Sequence, residues 1–172
     1  MMRKVLALVI SITAAAIGAT SVMAHGVTQN HASYTWIVGF LPPGSADTAK
    51  APDGSTITMK GSGTLMAGPE STATGGGTYT KSSGETGTWV ATALDGFVSY
   101  GPGTLIPLSN GGEAKLRVTL SNGQTGTLTI FCVAPGSSPP PSKMEGIQLI
   151  LGSGVSGEYT TPDGGNTVFL SS

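Results

Sequence analysis

His25 carries the most specific chemistry in the sequence, because it lies directly after a segment typical of a cleaved export signal. An apolar run from Val5 to Ala19 follows a short basic start, and Val22-Met23-Ala24 ends in the small residues that signal peptidase accepts. Cleavage there leaves a free α-amino group beside the His25 imidazole, a natural bidentate chelator of copper. His31 is the only histidine that can supply the second imidazole of such a site.

The opening His25-Gly26 resembles the N-terminus of bacterial lytic polysaccharide monooxygenases. This resemblance implies a histidine brace that holds copper. His31 departs from the pattern, because those enzymes bring their second histidine from a distant strand or loop, whereas His31 lies on the same predicted arm. We therefore predict no resident cofactor and keep copper binding by His25 and His31 as the third of three functional hypotheses.

Cys132 and the carboxylates are the other groups with catalytic chemistry. Cys132 alternates with Leu128 and Ile130, which predicts a buried thiol that acts as a small apolar core residue. Most carboxylates flank turn-forming Gly or Pro, whereas Asp95 and Glu145 lie beside apolar strands, where a carboxylate turned into a barrel could act as a base. Spacing in a β protein does not show which carboxylates converge, so no catalytic residue is assigned.

Four aromatic residues are candidates for the wall of a ligand cavity, namely Trp36, Tyr79, Trp89 and Tyr100. Inside a small barrel, such side chains bind apolar or aromatic molecules, and the hydroxyl and indole N–H groups orient the ligand. Filling of the barrel core is the alternative role of the same residues.

The elements that must position these residues are short β-strands. Charged residues make up only 10% of the chain, and 27 glycines accompany abundant Thr and Ser, a composition typical of turns and half-buried strands. The alternating runs Leu116–Leu120 and Thr127–Val133 flank Asn122-Gly123, which predicts a hairpin with a type I′ turn. We predict one mostly antiparallel β-barrel of about eight to ten strands, with a β-sandwich as the alternative.

The chain divides into three predicted segments. Residues 1–24 form the signal peptide, residues 25–33 a flexible arm, and residues 34–172 the single all-β domain. Removal of the signal leaves six basic side chains against nine acidic ones, which argues against a nucleic-acid partner. Nothing after the signal is apolar over the ~18 residues that a membrane span requires, so we predict no span in the mature form.

A glycine-rich pattern carries two further resemblances. The segments Gly75-Gly76-Gly77-Thr78-Tyr79-Thr80, Gly87-Thr88-Trp89-Val90-Ala91-Thr92 and Phe97-Val98-Ser99-Tyr100-Gly101 resemble a pattern in small exported bacterial proteins of unassigned function. That resemblance implies bacterial export and no particular activity. The strand pair is also remotely similar to the dirigent and allene oxide cyclase barrels, which implies a barrel fold only.

These observations lead to three functional hypotheses. The first is a secreted or periplasmic, non-enzymatic binding or accessory barrel for a small apolar ligand or a cell-surface component. The second is a cyclase-like or isomerase-like enzyme in which a cavity carboxylate or tyrosine moves a proton. Copper binding at His25 is the third. The ligand and the oligomeric state stay open.

Overall fold

The computed structural model describes residues 31–152 and 157–172, and these residues form only strands, turns and loops. The strands are β1 Ala32–Val38, β2 Asp47–Lys50, β3 Thr56–Ala67, β4 Thr72–Lys81, β5 Thr86–Pro102, β6 Ser109–Leu120, β7 Thr125–Cys132, β8 Gly146–Leu151, β9 Glu158–Tyr159, β10 Thr161–Pro162 and β11 Thr167–Ser171. The predicted all-β class is confirmed. The described residues form eleven strands, slightly more than the predicted eight to ten, and β9 and β10 have only two residues each, too few to produce an alternating pattern.

Six strands close a ring, and every strand pair is antiparallel. β1 pairs with β3 and β11, β3 continues to β4 and β5, and β6 pairs with both β5 and β11. Strands outside the ring extend it on two sides, since β2 pairs with β3 and β10 with β2, while β7, β8 and β9 continue from β6. The architecture is therefore a ring with two sheet extensions rather than a plain barrel.

The predicted β6–β7 hairpin is confirmed, and its turn differs from the prediction. Leu116 lies opposite Leu128, and their strands bury one apolar face. Gly123 has a φ of 86°, whereas Asn122 has no positive φ, and a type I′ turn would require both. The amide of Gln124 donates to Asn122 Oδ1 at 3.0 Å, so the side chain supports a three-residue loop with Gly123 in the left-handed conformation.

Glycines make room for two tryptophans inside the ring. Trp36 lies opposite Gly63 on β3, and Trp89 lies opposite Gly77 on β4. A Cβ added at Gly61 would come within 2.9 Å of Trp89 Cζ2, and one added at Gly63 within 2.5 Å of Trp36 Cζ2. The two rings stack with centroids 5.5 Å apart. The close backbone approach of these glycines therefore lets flat indoles fill the interior.

The predicted segment boundaries fall partly within the described residues. β1 begins at Ala32, inside the predicted arm 25–33, because Ala32 pairs with Ala67 on β3. The predicted signal and His25 lie outside the described residues. Residues 31–152 and 157–172 contain no helix that is long and apolar enough to cross a bilayer.

Candidate functional site

Glu145 joins two strands at one end of the molecule. It precedes β8, and its Oε2 accepts a hydrogen bond from the amide of Val133, which follows β7. Its Oε1 accepts from the amide of Thr167, the first residue of β11, at 2.6 Å, and lies 2.7 Å from the Thr167 hydroxyl. Both carboxylate oxygens are therefore occupied by neighbouring strands. We call this region, where β7 ends and β8 and β11 begin, the loop end.

Asp47 is a second carboxyl group at the loop end, and it is fully buried. Asp47 Oδ1 accepts a hydrogen bond from the backbone N–H of Asn166 at 2.8 Å, while Oδ2 has no hydrogen-bond partner in the described part of the chain. Burial, together with the nearby charge of Glu145, raises the pKa of Asp47 to about 6, against the lowering effect of backbone hydrogen bonds. A Cβ at Gly165 would collide with the Asp47 carboxyl, so glycine permits this approach.

Cys132 lies beside these groups and behaves as predicted from its alternation. The thiol is buried, and burial followed by the charge of Glu145 raises its pKa to about 11. A reactive cysteine requires a lowered pKa and access to solvent, and this one has neither. Its role as an apolar core residue is confirmed.

A small apolar pocket opens at the loop end. It has a volume of about 90 Å³, and its lining includes Leu41, Leu105, Ile106, Cys132, Glu145 and Thr167. Its rim is unusually exposed for apolar residues, since Leu105 is 74% and Leu41 45% accessible to solvent. Leu108, on the same loop, is 71% accessible.

The β5–β6 loop, which carries Leu105 and Leu108, is held at both ends. The Gly103 amide donates to Ser109 O at 2.8 Å, and the Thr104 amide donates to Pro135 O at 2.7 Å. The Ser109 hydroxyl donates to Ile106 O at 2.6 Å. Leu108 has a φ of 62°, a conformation that non-glycine residues rarely adopt and that clusters at ligand clamps. The loop therefore presents its leucines from a fixed backbone.

The four predicted aromatic residues do not line this pocket. Trp36 and Trp89 lie buried in the ring, each with an indole N–H that has no partner among the described residues. The Tyr79 hydroxyl donates to Glu85 at 2.8 Å, and the Tyr100 hydroxyl donates to Glu113 at 3.1 Å. The structure places both tryptophans and Tyr79 in the hydrophobic core, and a ligand-binding role for the four residues stays a prediction.

The other predicted site residues lie apart from the loop end. His31 is exposed beside Gly68. Asp95 forms an ion pair with Arg117 on the outer surface, at 2.8 Å. Within the two described ranges, no group of three or more His, Cys, Asp or Glu residues is arranged to hold a metal ion.

Sequence reasoning missed Asp47 as a site residue, and a signal for it was present. Asp47 shares a strand face with the buried Ala49, so period-two alternation places its carboxyl inward. Its proximity to Asn166 depends on strand order, which local patterns do not reveal.

Comparison with known proteins gives no function for the site, so its role is inferred from the residues that form it. No family model matches the chain, and no significant match is found among curated proteins or solved structures. The geometry offers an apolar opening on a fixed loop. The carboxyl groups behind it are buried or already hydrogen-bonded.

Proposed function

We propose that the protein is an exported, non-enzymatic binding protein that holds one short apolar group of another molecule between Leu41, Leu105 and Ile106. The observation that carries this proposal is the small pocket framed by two exposed leucines, Leu41 and Leu105, the second of which lies on the anchored β5–β6 loop. The signal-like pattern of residues 1–24 supports export.

The size of the pocket limits what can enter it. A cavity of about 150 Å³ holds one benzene molecule, and sites that enclose a whole small ligand have about 300 Å³ or more. The loop-end pocket has about 90 Å³. It therefore suits a short branched aliphatic group, such as a side chain or the tip of a larger molecule, and this favours a surface component over a fully enclosed ligand.

The rim supplies the remaining contact area. Leu105 and Leu108 expose 74% and 71% of their surface, and burying such apolar surface contributes about 25 cal/mol per Å². Because the loop is already fixed by hydrogen bonds to Ser109 and Pro135, little conformational entropy is lost on binding. Exposed apolar side chains grouped in this way typically mark an interaction surface.

The enzyme hypothesis has less support at this site. Asp47 has a raised pKa but is fully buried and does not line the pocket, and both oxygens of Glu145 accept hydrogen bonds from the protein. A general base must reach the proton it removes. The loop end therefore offers a bound molecule apolar contact and no free base.

The test is a titration of the protein, labelled at its methyl groups, with isobutanol and with xenon, followed by NMR. Saturable shifts are expected at the methyls of Leu41, Leu105 and Ile106 and not at Val98, which is 57% exposed on β5 outside the pocket. Leu105→Asp should abolish the response, and Val98→Asp is the matched control. Equal shifts at Val98 and at the pocket would contradict the proposal.

Export is tested separately by mass spectrometry of the protein recovered from the cells that make it. A mature chain that begins at His25 outside the cytoplasm supports export. A full-length chain that stays in the cytoplasm contradicts it.

A further inference from the structure

A second concave surface lies on the outer face of β5 to β8 and does not involve the loop-end pocket. This outer groove has a volume of about 660 Å³, and its lining includes Thr92, Asp95, Arg117, Thr119, Thr127 and Ile150. The volume falls within the range of about 300–1,000 Å³ that is typical of sites for small ligands.

Two irregularities in β5 build one wall of the outer groove. The register between β5 and β6 shifts between Ala91 and Ala93 and again between Leu94 and Gly96, so Thr92 and Asp95 are the extra residues. Such bulges redirect side chains, and they are common beside functional sites. β4 pairs with β5 only over Thr86–Val90, so this wall lies beyond the β4 ladder.

The charged groups of the groove neutralise each other. Arg117 Nη2 lies 2.8 Å from Asp95 Oδ1, and Arg117 Nε donates to Asp95 Oδ2 at 3.3 Å. The guanidinium has five N–H donors, so donors remain beyond those that meet Asp95, and the carboxylate keeps free lone pairs. The pair therefore offers donors and acceptors side by side without net charge.

The rest of the lining is uncharged and combines threonines and glycines with two apolar residues, Val118 and Ile150. Thr119 and Thr127 carry hydroxyls that both donate and accept. Ile150, which is 45% exposed and pairs with Thr127 across β7 and β8, provides an apolar patch beside them. The Thr92 hydroxyl is already directed to Arg117 O at 3.3 Å and fixes the wall.

We propose that the outer groove binds a neutral oligosaccharide. Sugars present adjacent hydroxyl donors and acceptors together with apolar C–H faces, and the groove combines the complementary groups: a self-neutralised ion pair, threonine hydroxyls and Ile150. An anionic ligand is disfavoured because Asp95 already compensates the charge of Arg117.

The experiment is an NMR titration of the mature chain with cello-, malto- and laminari-hexaose, and with an acidic oligogalacturonide of similar length. Binding of a neutral hexaose should shift the amides of Thr119, Thr127 and Ile150. Arg117→Ala should weaken it at least about tenfold, as expected for loss of hydrogen bonds to a charged group. Lys115→Ala is the matched control, because Lys115 is an exposed cation on the same strand that pairs with Glu113 and should leave binding unchanged.

Two outcomes would overturn the proposal. One is that no neutral hexaose shifts the groove amides, and the other is that the acidic oligosaccharide binds more tightly than all neutral ones. If Arg117→Ala proves unfolded by its NMR spectrum, Thr127→Val replaces it, since this nearly isosteric change removes one groove hydroxyl and should weaken binding several-fold. Retained affinity in that folded variant would also count against the proposal.

Discussion

Two carboxylates at opposite ends of the β6–β7 hairpin tie loops together in different ways. Glu85, at the end where the β4–β5 and β6–β7 turns meet, accepts hydrogen bonds from Lys81 at 2.9 Å, Tyr79 at 2.8 Å and Asn122 at 2.6 Å. These bonds, led by that from Lys81, lower the pKa of Glu85. Asp47, at the loop end, is buried without a cation, and its pKa is raised to about 6.

The difference shows where each end obtains its partners. Lys81 and Tyr79 lie four and six residues from Glu85, and Asn122 reaches it from the neighbouring β6–β7 turn, so residues at two adjacent turns satisfy its charge. Asp47 instead bonds the amide of Asn166, 119 residues away, and keeps one oxygen unpaired. We call the end where the β4–β5 and β6–β7 turns meet the hairpin end. There the carboxylate of Glu85 is paired with a cation, whereas the loop end holds Asp47 and Cys132, whose raised pKa values are of the kind that typically accompanies functional sites.

Thiol labelling should give the largest contrast between the two ends. At pH 8 a thiol with a pKa of about 11 is ionised about one part in a thousand, whereas an unfolded cysteine has a pKa of about 8.5. Native Cys132 should therefore react on the order of a hundredfold more slowly than in urea. Ser83→Cys, exposed in the β4–β5 turn and placed in a Cys132→Ala background, is the control and should react rapidly in both states. Rapid native labelling of Cys132 would show that the loop end is open.

Removing Glu145 should cost more stability than removing Glu85. Glu145→Ala leaves the amides of Val133 and Thr167 without their acceptor, and each buried unsatisfied group costs about 1–3 kcal/mol. We expect a loss of roughly 3 kcal/mol, or about 10 °C in Tm. Thermal unfolding of Glu85→Ala is the comparison, and an equal loss in the two variants would contradict a difference between the ends.

Asp47 should make stability fall as pH rises. The folded pKa of Asp47 lies above the unfolded value, so the folded protein binds more protons than the unfolded chain at pH values between the two. The resulting contribution to the free energy of unfolding is fully present below about pH 4 and is lost as the pH rises through about 6. The unfolding free energy should decline by up to roughly 3 kcal/mol from this group alone. Denaturant titrations at pH 4 and pH 7 should show a smaller decline in Asp47→Asn. An identical decline in both proteins would exclude this role.

Glu85 should show the opposite dependence with a smaller effect. Its lowered pKa means that its stabilising contribution is present above the unfolded pKa and lost as the solution is acidified. Glu85→Gln should lower Tm by a few degrees at pH 7, as expected for a partly exposed ion pair, and the difference should be smaller at pH 3. A Tm difference that is the same at both pH values would refute the assignment.

The sequence predicts the hairpin end better than the loop end for a physical reason. Asn122-Gly123 and the alternation around it act over a few residues, so the hairpin is predictable, although the Asn122 side chain selects a different turn from the one expected. The contact between Asp47 and Asn166 depends on which strands become neighbours. Local periodicity carries no information about that choice.

The interior shows the same division between local and distant information. Glycines within β3 and β4 allow a close backbone approach, and the two tryptophans occupy the space that this leaves. That Trp36 covers Gly63 follows only from the register between β1 and β3. Trp36 and Trp89, two of the aromatic residues predicted to line a cavity, therefore lie in the hydrophobic core.

The pairing of β1 with β11 has a consequence for the order in which the molecule assembles. Tyr34 lies opposite Ser171, so the strand that closes the ring follows every other described strand in the chain. A growing chain can form the β6–β7 hairpin early, because its contacts are local, but it cannot close the ring until β11 has been synthesised. The ring therefore stays open while β2 to β10 are synthesised, and the chain remains incompletely folded over that interval.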